Sequence, residues 1–233
     1  MSKKVYLSPS DQKNNAYAYG NTTEAIQCGK IAEACKADLE RSGVEVMVGQ
    51  YDTMANRCAA SDAFGANLHV PIHTNAYNGK VSGTRMFCYK SNGEGYKACK
   101  AIFDVLAPYT PGISENIKVN AALYEVRVPV APTAYIEVDF HDVPSVAKWI
   151  VENTSGIGEK IARGICKYLG VKFVPAKAEE KPAEEPKADA EQVLYRVQVG
   201  AFANRANADR MLEKLKAAGF TGFVVKGKQA IRV

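Results

Sequence analysis

The sequence predicts an α/β protein: a mostly parallel sheet with helices on both faces, followed by a small α+β module of βαββ order. Three observations predict it. Across residues 1–173, short β-prone runs alternate with helical patterns of about 10 to 20 residues, as expected of parallel strands joined by crossover helices. Residues 175–192 then hold three prolines and no large apolar side chain. Such a stretch buries too little surface to offset the entropy of ordering it, so a semi-stiff disordered linker is expected over 174–192. Charge also divides there: Lys+Arg against Asp+Glu is 19 to 17 over 1–173, 3 to 6 over 174–192 and 8 to 2 over 193–233. The expected organisation is a main domain over 1–173, the linker over 174–192 and a basic module over 193–233.

The elements follow in order. Val5–Ser8 reads as a strand. Thr22 and Thr23 cap a helix from Glu24 to Ser42, on which Ala25, Ile31, Ala32, Cys35 and Leu39 recur near helical spacing. Gly43 ends it, and Val44–Val48 is the next strand. Met54–Gly65 is helical, Asn67–His73 a strand, Gly83–Tyr89 a strand, and Gly95–Leu106 a helix stopped at Pro108. Ala121–Arg127 and Thr133–Phe140 are expected as strands, and Pro144–Asn153 and Ile157–Leu169 as helices. In the module, Tyr195–Phe202 alternates apolar and polar residues, Asn204 caps a helix from Arg205 to Ala218, and Phe223–Lys226 and Ala230–Val233 are two further strands.

Composition excludes several classes. No apolar run reaches the roughly 18 residues of a membrane span. The six cysteines form no Cys-x-x-Cys pair, so a four-thiolate zinc site is not expected, and buried free thiols are. The basic residues of the module come with no recognition-helix or RNP signature, which argues against nucleic acid. The start, Met-Ser-Lys-Lys-Val-Tyr-Leu-Ser-Pro, has no apolar region of signal-peptide length, so synthesis in the cytoplasm without an export signal is expected.

The chemistry concentrates at two strand ends. Asn67-Leu68-His69-Val70-Pro71-Ile72-His73-Thr74-Asn75-Ala76 runs from a strand into a polar turn, with His73 near its carboxyl end. Ala134–Phe140 carries Glu137 and is followed at once by His141 and Asp142. Ligands in open α/β sheets bind at the carboxyl ends of strands. Two strands that deliver His and Glu to one edge suggest a metal hydrolase. Bland readings stand beside this one. Glu24 fits a capping-box acid, His73 a turn histidine, and Glu137 a partner of Arg85 or Arg127. Asn75 fits substrate binding and turn capping equally. His69 reads as structural, Trp149 as core, and Tyr17, Tyr19 and Tyr77 as loop aromatics near the same edge.

Four blocks bring a family into view. Leu7-Ser8-Pro9-Ser10, Glu24 at the first helix, Pro71-Ile72-His73-Thr74-Asn75-Ala76 and Ile136-Glu137-Val138-Asp139-Phe140 occur in the order and spacing of a zinc-dependent N-acetylmuramoyl-L-alanine amidase of the Amidase_3 type. Residues 1–173 resemble that family, and 194–233 resemble the first half of a SPOR domain, a peptidoglycan-binding module. The resemblance implies Zn2+ held by Glu24 and His73, with Glu137 as the catalytic carboxylate. The family's first zinc-binding His falls at Asp11. A catalytic zinc usually takes three protein ligands and a water, so His141 is the expected third ligand and Asp11 the alternative. The function implied is cleavage of the amide between N-acetylmuramic acid and L-alanine. The rivals are a non-catalytic wall-binding protein on a degenerate amidase fold and a metal amidohydrolase acting on a soluble substrate. The expected partner is bacterial peptidoglycan, with self-association through a second copy of the half-length module. A phage or prophage endolysin released at lysis is the expected setting, ahead of a bacterial autolysin.

Overall fold

The run Lys4–Pro9 forms the first strand, β1, and it is buried along most of its length. It pairs in parallel with β2 (Glu45–Val48) on one side and β3 (Leu68–Asn75) on the other. Strand β3 pairs in parallel with β6 (Tyr135–Phe140). Strand β4 (Arg85–Cys88) lies antiparallel to β6 and parallel to β5 (Asn116–Val119). The six strands run β2-β1-β3-β6-β4-β5, so the sheet is mostly parallel, with one reversed pair. The computed structural model describes residues 2–113, 115–176, 202, 204–217 and 224. The chain divides into two units, Met1–Glu180 and Lys181–Val233.

Side-chain alternation gives the sheet two unlike faces. Val5, Leu7, Leu68, Val70, Ile72, Met86, Cys88, Ala134, Ile136 and Val138 belong to the apolar core. That core is completed by α1 (Glu24–Arg41), α3 (Glu94–Leu106), α5 (Pro144–Glu152) and α6 (Thr154–Leu169). The alternate positions Tyr6, Ser8, His69, His73, Arg85, Phe87, Tyr135 and Glu137 point the other way. This second face is polar and aromatic, and α2 (Met54–Phe64) and the single turn α4 (Tyr124–Arg127) lie over it. Helices do cover both faces, but unequally.

Helix α6 packs against both α1 and α3, and two glycines let it approach them closely. A Cβ at Gly158 would lie 2.6 Å from the Ala34 Cβ and 2.8 Å from the Cys35 backbone N; at Gly164 it would lie 2.4 Å from the Ile102 Cα. Backbone cannot withdraw as a side chain can. Gly158→Ala is therefore expected to destabilise the protein by about 1–3 kcal/mol through overpacking, against a helix-propensity gain of about 1 kcal/mol. A lowered urea midpoint checks this.

One sequence expectation needs correction. Residues 121–127 form no strand: Tyr124–Arg127 is a helical turn, and the strand in this region is β5, just upstream. A tertiary demand overrides the β-prone composition, because the turn aims Glu125 into the polar layer beneath α2. The expected module strands 195–202, 223–226 and 230–233 and the linker 177–192 lie outside the described residues, apart from single positions. The module helix is present as α7 (Arg205–Ala217). The six cysteines are free and buried.

Candidate metal centre

Strands β3 and β6 set His73 directly beside Glu137, and β6 and β4 set Glu137 directly opposite Arg85. Beyond His73 the register between β3 and β6 shifts, an irregularity of the kind that re-aims side chains near active sites. The β1–α1 loop supplies the other half. It folds back on itself: Tyr17 N–H donates to the Thr22 carbonyl (3.0 Å), and Glu24 N–H to the Asn15 carbonyl (2.9 Å). Glu24, the first residue of α1, is thereby brought against His73.

The contacts are close. His73 Nδ1 lies 2.9 Å from Glu24 Oε1, and Asn15 Nδ2 donates to Glu24 Oε2 at 2.8 Å. The Gln12 amide sits 3.4 Å from Glu24 Oε1 and 3.5 Å from His73 Nδ1, and Asn15 Nδ2 also donates to Gln12 Oε1 at 2.7 Å. The His73 ring stacks on Tyr135 with centroids 4.8 Å apart. Glu24 and His73 are both buried. Glu24 therefore does not act as a capping-box acid; its carboxylate serves His73 and Asn15.

Burial disfavours charge on both members of this pair, but their mutual attraction outweighs it. Burial alone would raise the Glu24 pKa; the hydrogen bonds and charge of His73 and the Asn15 amide hold it below the ordinary value. Burial alone would lower that of His73; the Glu24 hydrogen bond and the charges of Glu137 and Glu24 raise it. Glu137 behaves oppositely. Burial lifts its pKa to about 7, with the Glu24 charge adding to the rise and His73 and Arg85 opposing it. Among the described residues, its Oε2 is sealed from solvent without a hydrogen-bond partner, as is His73 Nε2. A carboxyl poised near neutrality beside a buried His–Glu pair suits proton transfer.

Comparison with known proteins decides the family. The family model described as N-acetylmuramoyl-L-alanine amidase matches residues 8–167. The chain belongs to that family. A SPOR domain model matches residues 186–233. The sporulation-specific N-acetylmuramoyl-L-alanine amidase of Bacillus subtilis (strain 168) is 25% identical over 229 residues, covering 95% of this chain and 84% of that protein. Amidase CwlM of Bacillus licheniformis shows the same identity and coverage. Among solved structures, amidase AmiC2 of Nostoc punctiforme superposes with a TM-score of 0.66 at 22% identity, over 72% of this chain and 97% of that one. The catalytic domain of the CD27L endolysin superposes with a TM-score of 0.56 at 20% identity, over 71% of this chain and 97% of that one. The amidase hydrolyses the bond between N-acetylmuramic acid and L-alanine in peptidoglycan. Among its described residues no helix is long and apolar enough to cross a membrane.

The other expected site residues of the amidase fall as follows. His141 does not join Glu24 and His73 as a ligand set: among the described residues, the set of three His, Cys, Asp or Glu donors lying within 4.8 Å of one another is Cys58, His69 and Glu125. His141 Nδ1 instead meets Thr74 Oγ1 at 2.9 Å, and its ring stacks on Tyr17 at 4.8 Å. Tyr17 OH reaches the same Thr74 Oγ1 at 2.8 Å, so both rings are used in holding the strand end. Asp11 lines an open cleft with Lys13, Tyr51, Asp52 and Thr53. Asn75 Oδ1 accepts from the Ala76 N–H at 2.8 Å, within the turn that follows β3. Trp149 packs edge-to-face on Tyr109, as a core residue does. The loop after β3 is tied to the end of β6. Asp142 Oδ2 accepts from the Tyr77 and Gly79 amides (2.9 and 2.8 Å), and Asp139 Oδ1 from the Gly83 amide (2.7 Å).

Whether zinc fits depends on the donor chemistry. Glu24 and His73 offer the oxygen and nitrogen ligands zinc accepts, at the carboxyl edge, with the buried Glu137 carboxylate alongside. The Cys58–His69–Glu125 set does not suit catalysis. All three residues are buried, leaving no open position for substrate. Glu125 is already bound by Arg57 Nη2 (3.3 Å), His69 Nε2 (3.3 Å) and Ser8 Oγ. His69 also stacks on Tyr6 at 5.3 Å, the structural role its sequence position implied. Sequence reasoning missed Gln12, Asn15, Arg57 and Glu125. Polar loop residues and a lone Glu-x-Arg turn carry no periodic signal, and only their convergence in space reveals them.

Proposed function

We propose that the amidase is a zinc hydrolase in which Glu24 and His73 hold the ion, Glu137 moves the proton and Asn75 borders the substrate. The observation that carries this reading is the buried Glu24–His73 contact with the buried Glu137 carboxylate next to it in register. Zinc, when bound, polarises the scissile carbonyl and makes a water acidic near neutral pH. Glu137 accepts the water proton and returns it to the leaving nitrogen. The products are a lactyl carboxylate on the muramic acid and a free amino group on L-alanine. Asn15 fixes the second oxygen of Glu24, and Tyr135 fixes the His73 ring plane.

The domain reading is a catalytic unit over 1–173, a tether over 174–192 and a wall-binding module over 193–233, self-associating through the module. The tether raises the effective concentration of the catalytic unit at the wall. Two settings stand for it: a phage or prophage endolysin, and wall remodelling in sporulation. The sporulation-specific relative, alike over 95% of this chain, supports the second.

Purified wild-type protein is expected to hold about one zinc per chain and to release L-alanine amino termini from cell walls without new reducing ends. Metal-free, inactive protein that still binds walls would support the degenerate wall-binding reading. Activity confined to soluble amides would support the amidohydrolase rival.

A further inference from the structure

We propose that Gln12 is the third protein ligand of the zinc site, binding through its side-chain amide oxygen. This rests on the zinc reading above. The three atoms His73 Nδ1, Glu24 Oε1 and Gln12 Nε2 form a triangle with edges of 2.9, 3.4 and 3.5 Å. Zinc–nitrogen and zinc–oxygen bonds of about 2.0–2.1 Å make the edge of a tetrahedral donor set about 3.3 Å. One face of such a tetrahedron thus matches the triangle. The two residues first considered for the third position do not reach it. Asp11 lines the outer cleft with Lys13 and Tyr51, and His141 is engaged with Thr74 and Tyr17.

The amide must turn so that Oε1 takes the vertex. The two ends of a glutamine amide are exchanged by a half rotation and are assigned by hydrogen bonding. As the side chains lie, Nε2 faces Glu24 and His73, and Oε1 accepts from Asn15. An ion over the triangle reverses the preference, because it attracts the oxygen and repels the amide protons. Gln12 is exposed, so Nε2 has room to turn outward, while Asn15 keeps its bond to Glu24 Oε2. An amide oxygen is neutral and harder than an imidazole nitrogen. The site therefore binds zinc less tightly than one with a second histidine and discriminates less against Mn2+.

The test measures Zn2+ affinity on the full chain by competition with a chromophoric chelator, and the visible absorption of the Co2+-loaded protein. Outer-sphere partners change metal affinity by about 10- to 100-fold, so loss of a direct ligand in Gln12→Ala is expected to cost about 100-fold or more. Gln12→His is expected to bind zinc at least about 10-fold more tightly than wild type and to alter the cobalt spectrum. Asp11→Ala and His141→Ala are expected to stay within about 10-fold of wild type, the lower bound for outer-sphere effects. Unchanged or tighter binding in Gln12→Ala, or a larger loss in His141→Ala or Asp11→Ala, overturns the proposal and leaves the zinc reading standing. Wild-type protein that takes up neither Zn2+ nor Co2+ overturns the zinc reading itself.

Discussion

Glu137→Gln is expected to lower kcat by about 100- to 10,000-fold, the range for removal of a positioned acid–base group, while zinc content stays at the wild-type value. Glutamine keeps the shape of the side chain and cannot shuttle a proton. The same substitution has a stability consequence of opposite sign. Burial raises the Glu137 pKa to about 7 in the folded protein, whereas in the unfolded chain the group ionises near pH 4.3. Between those values the folded state holds a proton that the unfolded state has released, so stability falls as pH rises through this window and stays lower above it. A displacement of that size corresponds to about 4 kcal/mol. In EDTA, Glu137→Gln protein should match the parent near pH 4 and exceed it at pH 8, read as urea midpoints. A variant that loses zinc along with activity would transfer Glu137 from proton carrier to metal support.

Arg57→Met carries the largest expected loss of stability, about 3–5 kcal/mol. Arg57 and Glu125 are 3% and 2% exposed, with Arg57 Nη2 and Glu125 Oε2 3.3 Å apart. Burial would raise the Glu125 pKa; hydrogen bonds from His69 and Ser8 and the Arg57 charge hold it below the ordinary value. Without the guanidinium, the carboxylate is left in the interior with His69 and Ser8 as its remaining partners. Arg57 Nη1 also donates to the Pro9 carbonyl at 3.1 Å, so the exit of β1 loses a support. Urea denaturation at pH 7 measures the effect. The double variant Arg57→Met with Glu125→Gln should recover most of it, since the buried charge is then gone. A double variant no more stable than the single would shift the cause from charge to packing.

The main elements of the first unit were legible because hydrophobic periodicity and glycine stops mark them directly. Gly43 and Gly170, both left-handed, close α1 and α6. The site was legible as residue types at strand ends, and Glu24, His73 and Glu137 do converge there. What escaped was set by contacts between distant segments. Val126 and Tyr124 favour a strand locally, yet the turn they form places Glu125 against residues from β1, α2 and β3. With Asp at position 11, the sequence offers His141 as the nearest further imidazole to the Glu137 strand. The loop instead delivers Gln12, one residue further on, because Ser10 N–H pairs with the Ile72 carbonyl and sets how the chain leaves the sheet.

The carboxylates of Asp139 and Asp142 fasten three amides of the segment after His73 to the strand that carries Glu137. A stretch moored this way has little freedom to fold down over a ligand. Peptidoglycan is a cross-linked mesh that no enzyme can engulf, and its stem peptides remain attached at the sugar. A rim fixed in place meets such a polymer without needing it to be released first.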